Sequence, residues 1–282
     1  MKMARMDSFR IDDLMVATAY PHQVAHLDLK ETHVSWVVLT GPFAYKIKKP
    51  VRYTFIDAST LERRHFLCNE ELRLNRRFAP DLYLDVVPIV RENGQLKVGG
   101  DGEPLEFAVR MREFDPSQEL AAQLERSSVA AHDLNAFAGQ MADSHLRAAV
   151  AAPDGPFGTF EGIRAAMLAN LALLRTHLEG ALENALLKRL TTWTHDSLAR
   201  MEPLINSRRQ SGMVRECHGD LHARNIVRWR QQWLPFDCLE FDPELRWIDV
   251  ISDVAFLYMD LVSRNRDDLA HEFLSRYLAE TG

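Results

Sequence analysis

Cysteine is scarce. Cys68, Cys217 and Cys238 are the only three in a chain of 282 residues. An odd count without framework spacing excludes a disulfide-scaffolded fold and fits reduced thiols in the cytoplasm. Long apolar runs are also missing. No stretch approaches the roughly 18 apolar residues that a bilayer-spanning helix needs. The opening "MKMARMDSFRIDDLM" has no uninterrupted apolar core of the kind a signal peptide carries. Positive charge is not in excess either. Lys and Arg number 34 against 40 Asp and Glu, a net charge of −6, and the two signs interleave in "LERRHFLCNEELRLNRR". That balance gives no basis for nucleic-acid or membrane binding. What remains is ordinary globular composition, 46% apolar and 26% charged, long enough for one large domain or two lobes.

The texture changes once along the chain. Before Phe114 it is strand-rich. "HVSWVVLT" is β-branched and aromatic, and "GP" marks a turn before "FAYKIKKPV". Pro50 should end that strand. "STLERRHFLCNEELRLNRRF" reads as a helix that Ser59 or Thr60 can cap. "LYLDVVPIV" and "LEFAVRMREF" are two further strands. Their connector should hold a turn at Asn93-Gly94 and a loop at Gly99 to Pro104. From Ser127 to about Arg209 the pattern is mostly helical, broken by "AAPDGPFG". "NIVRW" and "WLPFD" then form a strand pair, and a last helical region starts near Trp247. The expectation is an α+β chain: an N-lobe over 1–112 with one helix, then a helical C-lobe over 113–282.

The densest polar stretch is "ECHGDLHARNIV", residues 216–227. Three chemistries compete for it. A zinc site would use His218 and His222 with Cys217 or Cys238, but Gly219 and the strand that follows argue against the helix this spacing needs. A plain polar turn requires several features to coincide by accident. A phosphoryl-transfer loop needs a carboxylate for the acceptor hydroxyl and an amide for the metal five residues on. Asp220 and Asn225 have that interval, and Asp237 directly after an apolar strand supplies a second hard oxygen ligand for Mg²⁺.

"CHGDLHARN" followed by "FDCLEFDPELRWIDVISDVAFLYMDL" resembles the aminoglycoside phosphotransferase and choline-kinase type of protein-kinase-like fold. It is most similar to the bacterial kinase-like domain that precedes a P-loop ATPase domain. "ETHVSWVVLTGPFAYKIKKPV" and "EELRLNRRFAPDLYLDVVPIV" extend the resemblance over most of the chain. It implies a two-lobed, C-terminally truncated kinase-like fold that uses ATP and Mg²⁺ to phosphorylate a small-molecule hydroxyl, with a P-loop ATPase as a partner. Asp220 is then the catalytic residue, and Asn225 and Asp237 are metal ligands.

The resemblance also implies a strand lysine on the ATP phosphates. Lys46 and Lys48 compete, and the spacing of "FAYK" favours Lys46. Its helix partner is Glu71, on a stripe with Leu67, Leu74 and Phe78, with Glu70 as fallback. Met111 to Phe114, including Glu113, is the hinge window for adenine. His218 orients the loop, and Asp253 bonds its backbone. Asp249 is either an assistant or a helix-start carboxylate, and His145 reads as a core histidine. The Gly-x-Gly lid of protein kinases is missing from residues 11–40, and no Walker A pattern occurs.

Overall fold

The structure is a computed structural model and describes residues 9–178 and 180–282. Residues 1–8, the start of the expected N-lobe, lie outside the described residues. Among the described residues no helix is long and apolar enough to cross a membrane.

Six antiparallel strands form one sheet: β1 (Asp28–Glu31), β2 (Ser35–Leu39), β3 (Phe43–Lys48), β4 (Tyr83–Glu92), β5 (Gln95–Val98) and β6 (Pro104–Arg112), in the order β1-β2-β3-β6-β4-β5. The connector between the two long strands thus holds a strand of its own, β5, which the polar sequence there concealed. Asn93 and Gly94 both take positive φ, as the tight turn expected at that dipeptide demands.

β3 lies inside the sheet between β2 and β6, and its alternation decides the architecture. Tyr45 and Ile47 point outward into a core with Leu14, Tyr20, Val38 and Ile89. Ala44, Lys46 and Lys48 point to the opposite face. There helix α1 (Leu61–Asn75) lies across the sheet, its first turn capped by Thr60, whose Oγ1 accepts the Arg63 N–H at 3.3 Å.

The second lobe contains α2 (Leu120–Glu125), α3 (Ala131–Arg147), α4 (Phe160–His177), α5 (Ala181–Gln210), α6 (Pro243–Arg246), α7 (Val250–Ser263) and α8 (Asp267–Thr281). Two small antiparallel pairs join them, β7 (Val214–Glu216) with β10 (Trp247–Asp249), and β8 (Ile226–Trp229) with β9 (Gln232–Pro235). Trp247 therefore opens a short strand rather than a helix, because β7 needs a partner for its backbone groups. Leu134, Phe137, Met141, Leu257, Leu261 and Phe273 fill the core of this lobe. α4 and α5 are largely exposed. A groove of about 490 Å³ separates them from α7 and α8, lined by Met167, Trp193, Met201, Leu204 and Leu278.

α1 belongs to both lobes. Leu74 and Phe78 at its end enter the helical core. Its charged face lies against the polar loops of the second lobe. Arg77 donates to the main-chain oxygens of Glu216 (2.6 Å) and Cys217 (3.0 Å). Arg73 bonds both Glu70 and Glu216, and buried Arg246 reaches the same two carboxylates. All three cysteines are free and buried: Cys68 on the face of α1 that meets the sheet, and Cys217 and Cys238 at the loop after β7.

Arg77→Met should therefore lower stability by about 2–4 kcal/mol, the cost of orphaning buried carbonyls and part of a carboxylate. Urea unfolding measures this. A loss below about 0.5 kcal/mol would mean that α1 does not depend on this contact.

Candidate active site

The loop after β7 is held from below by two carboxylates of α7: Asp260 accepts the Ala223 N–H at 2.8 Å, and Asp253 fixes the start of the loop. Asp253, in the first turn of α7 and 1% exposed, accepts the N–H groups of His218 and Gly219, each at 2.9 Å. Its remaining contact is His145 Nε2 at 3.2 Å, and His145 Nδ1 meets the Tyr277 hydroxyl at 2.8 Å. Burial pushes the Asp253 carboxyl up, but His145 and the loop N–H groups outweigh it and hold it below its usual range. Gly219 has φ +86°, and a Cβ there would lie 2.8 Å from the Leu245 oxygen, so the position between His218 and Asp220 requires glycine.

His218 is fully buried. Its Nε2–H donates to the Phe236 oxygen at 2.9 Å, and Nδ1 accepts the Asp220 N–H at 3.3 Å. Burial lowers its pKa, so the ring is neutral and both nitrogens are occupied. Neither ring nitrogen of His218 is free to ligate zinc in this structure. His145, Cys217 and Asp253 also gather closely enough for a metal. Their ligand atoms are taken by the contacts above and by the Cys217 thiol, which donates to the Ile248 oxygen.

Asp220 and Asn225 are in direct contact. Asn225 Nδ2 donates to Asp220 Oδ2 at 2.9 Å and to the Asp220 main-chain oxygen at 3.0 Å. This network orients the amide, and Asn225 Oδ1 is left without a hydrogen bond among the described residues. The Asn225 main-chain oxygen accepts the Phe236 N–H at 2.9 Å, which sets the next residue, Asp237, beside the loop. Asp237 adopts φ +61°, unusual for a residue with a side chain, and donates its N–H to the Tyr83 hydroxyl at 3.0 Å. His222 Nε2 lies 3.5 Å from Asp220 Oδ2, and that carboxylate raises the His222 pKa.

The lysines of β3 meet these groups from the other lobe. Lys46 Nζ lies 2.5 Å from Asp237 Oδ1 and 2.8 Å from Glu71 Oε1. Lys48 Nζ lies 2.5 Å from Glu71 Oε2 and contacts Glu240. Both contacts to Glu71 are close ion pairs whose angles are not those of hydrogen bonds. Burial alone would weaken the charge on Lys46, yet Asp237 and Glu71 raise its pKa well above the ordinary value. For Asp237 the balance of burial and Lys46 falls the same way, and its carboxyl is held below the usual range. For Glu240 burial prevails over Lys48, and its pKa is raised.

Lys46, Glu71, Asp220, Asn225 and Asp237 are thus brought to one place, with His218 and Asp253 directly beneath. The fallback Glu70 turns away to Arg73 and Arg246. Asp249 caps α7 through the Ile251 N–H and pairs with Arg208, as a helix-start carboxylate does. Met111 and Glu113 lie at the end of β6, but their side chains are spent elsewhere. Met111 is buried between the lobes. The Glu113 carboxylate closes the β2–β3 turn, accepting the N–H groups of Thr40 (2.9 Å) and Gly41 (2.7 Å) and facing His26 at 3.0 Å. Much of the main chain of this window is committed as well: Met111 is paired with Ala44 and Tyr83 inside the sheet, and the N–H groups of Arg112 and Glu113 donate to the oxygens of Leu82 (2.8 Å) and Pro42 (3.4 Å). The β1–β2 turn, Thr32-His33-Val34, contains no glycine.

Glu240, Asn75, Tyr83 and the Arg73–Arg77–Arg246 group escaped the sequence reading. Asn75 Oδ1 accepts the Cys238 N–H at 2.9 Å, directly after Asp237. The spacing of Glu70, Arg73 and Arg77 on one helix face was the only available signal.

No family model matches the chain. Two curated relatives, uncharacterized proteins of Mycobacterium tuberculosis (strain H37Rv) and Mycobacterium bovis, are 33% identical over 256 residues, covering 91% of this chain and 50% of theirs. The chain thus spans about half the length of the curated relatives it matches. Among solved structures, a choline kinase from Cryptosporidium parvum Iowa II is similar over 96% of this chain and 79% of that chain, with a TM-score of 0.52 at 13% identity. Together with the curled antiparallel sheet and the helical second lobe, that likeness establishes the fold of this chain as the two-lobed protein-kinase-like fold.

Proposed function

We propose that this chain is an ATP- and Mg²⁺-dependent phosphotransferase acting on a hydroxyl group of a small molecule. The observation that carries the proposal is the Glu71–Lys46–Asp237 ion triad. It draws β3, α1 and the segment after β9 together beside Asp220 and Asn225. Asn225 Oδ1, free of other bonds, and the Asp237 carboxylate are hard oxygen donors of the kind that suits Mg²⁺. When bound, that ion neutralises charge on the phosphate oxygens.

The remaining work falls to the chain's own side chains. Lys46, fixed by Glu71, clamps the phosphates. Asp220 accepts the hydrogen bond of the acceptor hydroxyl and takes its proton as the oxygen attacks. Asn225 and His222 hold the Asp220 carboxylate in place. The main-chain groups of 111–114 that the fold does not use, the Phe114 N–H among them, are left to hold the base of the nucleotide. Catalysis then comes chiefly from positioning and preorganised charge. We place the activity in the cytoplasm on the strength of the three unpaired thiols.

A second reading is a non-catalytic, kinase-shaped module that binds nucleotide and regulates a P-loop ATPase partner. The glycine-free β1–β2 turn favours it.

Magnesium alone should give no thermal shift, because Lys46 already occupies Asp237, whereas ADP with magnesium at saturation should raise Tm by about 5 °C. Asp237→Asn should remove the magnesium-dependent part of that shift. An unchanged shift would take Asp237 out of the metal site. Because the Asp237 carboxyl is held below its ordinary 3.8, it stays ionised, and the part of the shift that Asp237→Asn removes should be the same at about pH 6 and pH 8.

Asp220→Asn should bind nucleotide normally yet lose about 10²-fold or more of ADP release in a screen of hydroxyl compounds. Slow turnover that this substitution leaves untouched would count against the catalytic role. Binding without turnover on any acceptor would favour the regulatory reading.

A further inference from the structure

Lys48 and Glu240 are not used by the chemistry above. Their side chains are 1% and 4% exposed and contact each other directly. Lys48 also takes Glu71 Oε2, so the one glutamate of α1 is shared between two lysines, each on its own oxygen. A second buried ion pair beside the first is a costly way to join two lobes, because desolvation costs several kcal/mol per ion. The lobes are already joined through Arg73 and Arg77 on Glu216 and through Arg246 on Glu70. The placement of the pair gives it a purpose that stability does not.

Glu240 stands three residues after Asp237. Between them, Cys238 is fixed by Asn75, and Leu239 donates its N–H to the His218 oxygen at 3.2 Å. Lys46 touches Asp237 and must leave it when both turn to a metal-bound triphosphate. The direct ionic tie between β3 and the Asp237 segment is then Lys48–Glu240. The same lysine occupies the second oxygen of Glu71, so that only Oε1 faces Lys46.

We infer that Lys48 and Glu240 are positioning residues, a strut that keeps Asp237 and Lys46 at their working separation once their mutual contact is given up for the magnesium nucleotide. The inference rests on the nucleotide-binding reading above and assigns this buried pair to magnesium-dependent binding, leaving metal-free binding to other groups.

The test is calorimetric titration with the non-hydrolysable analogue AMP-PNP, in excess magnesium and in EDTA. The proteins are the wild type, Glu240→Gln, Lys48→Met and the double variant, with urea unfolding of each. Glu240→Gln should keep metal-free affinity within about twofold and lose about tenfold or more of the magnesium enhancement, the usual range for groups that orient metal ligands. Lys48→Met should be less stable, since it leaves Glu240 buried without its partner and Glu71 with Lys46 alone. The double variant, which removes the charge from both members, should recover the part of that loss due to Glu240 but not the magnesium enhancement. A double variant with the full magnesium enhancement would reduce the pair to a structural one and overturn the inference, as would a wild-type response from Glu240→Gln. A wild type that binds no nucleotide under either condition would instead refute the nucleotide reading itself, and the strut with it.

Discussion

A glutamate cut off from water organises this molecule. Glu71 is 0% exposed, and an unpaired carboxylate at that depth would be severely penalised. It is tolerable only where cations approach it, and both that do so come from β3. The sheet, α1 and the segment after β9 can therefore meet in one relative placement. Lys46 must face α1, so Tyr45 and Ile47 must face the outer core. α1 must lie across the sheet in the register that turns Glu71 inward, and Asp237 and Glu240 must approach from the other lobe to balance the second charges. Few apolar contacts are so exacting, because a methyl group tolerates a shift that an ion pair does not.

The helical lobe repeats this logic with a different acid. Asp253 spends its two oxygens on two successive N–H groups and on His145, which fixes the backbone from His218 to Gly219. Above it, every polar atom of His218 is committed. Among the described residues, one side-chain oxygen each of Asp220, Asn225 and Asp237 is left here without a hydrogen bond. Rigidity below and freedom above are what a site built for positioning requires.

Much of this arrangement was legible in the residues. The Asp220–Asn225 interval and an aspartate after an apolar strand named the loop groups. Strand alternation with Ala44 selected Lys46, and the apolar stripe of α1 selected Glu71 over Glu70. These signals are local, carried by spacing within one element. The charges that fasten the lobes were not legible, because their partners are distant in the chain. Arg77 and Glu216 are 139 residues apart, and Lys48 and Glu240 are 192 apart. Nothing in "NRRF" or "CLEF" announces such a meeting. β5 and β10 were missed for a related reason: four-residue and three-residue strands leave no periodic trace, and their pairing is decided by a neighbour. In the window expected to be the hinge, the carboxylate of Glu113 is recruited to close a turn.

The free cysteines carry one further implication. Cys68 is on the buried face of α1, against the sheet, and Cys217 and Cys238 sit where α1 meets the loop after β7. Burial pushes the Cys68 thiol up to about 12 and raises the other two as well, so none is nucleophilic in the closed molecule. Alkylating reagents can reach them only when sheet, helix and loop part company. The seam between the lobes thus contains its own chemical clock, and the pace of thiol capture would register how often it opens.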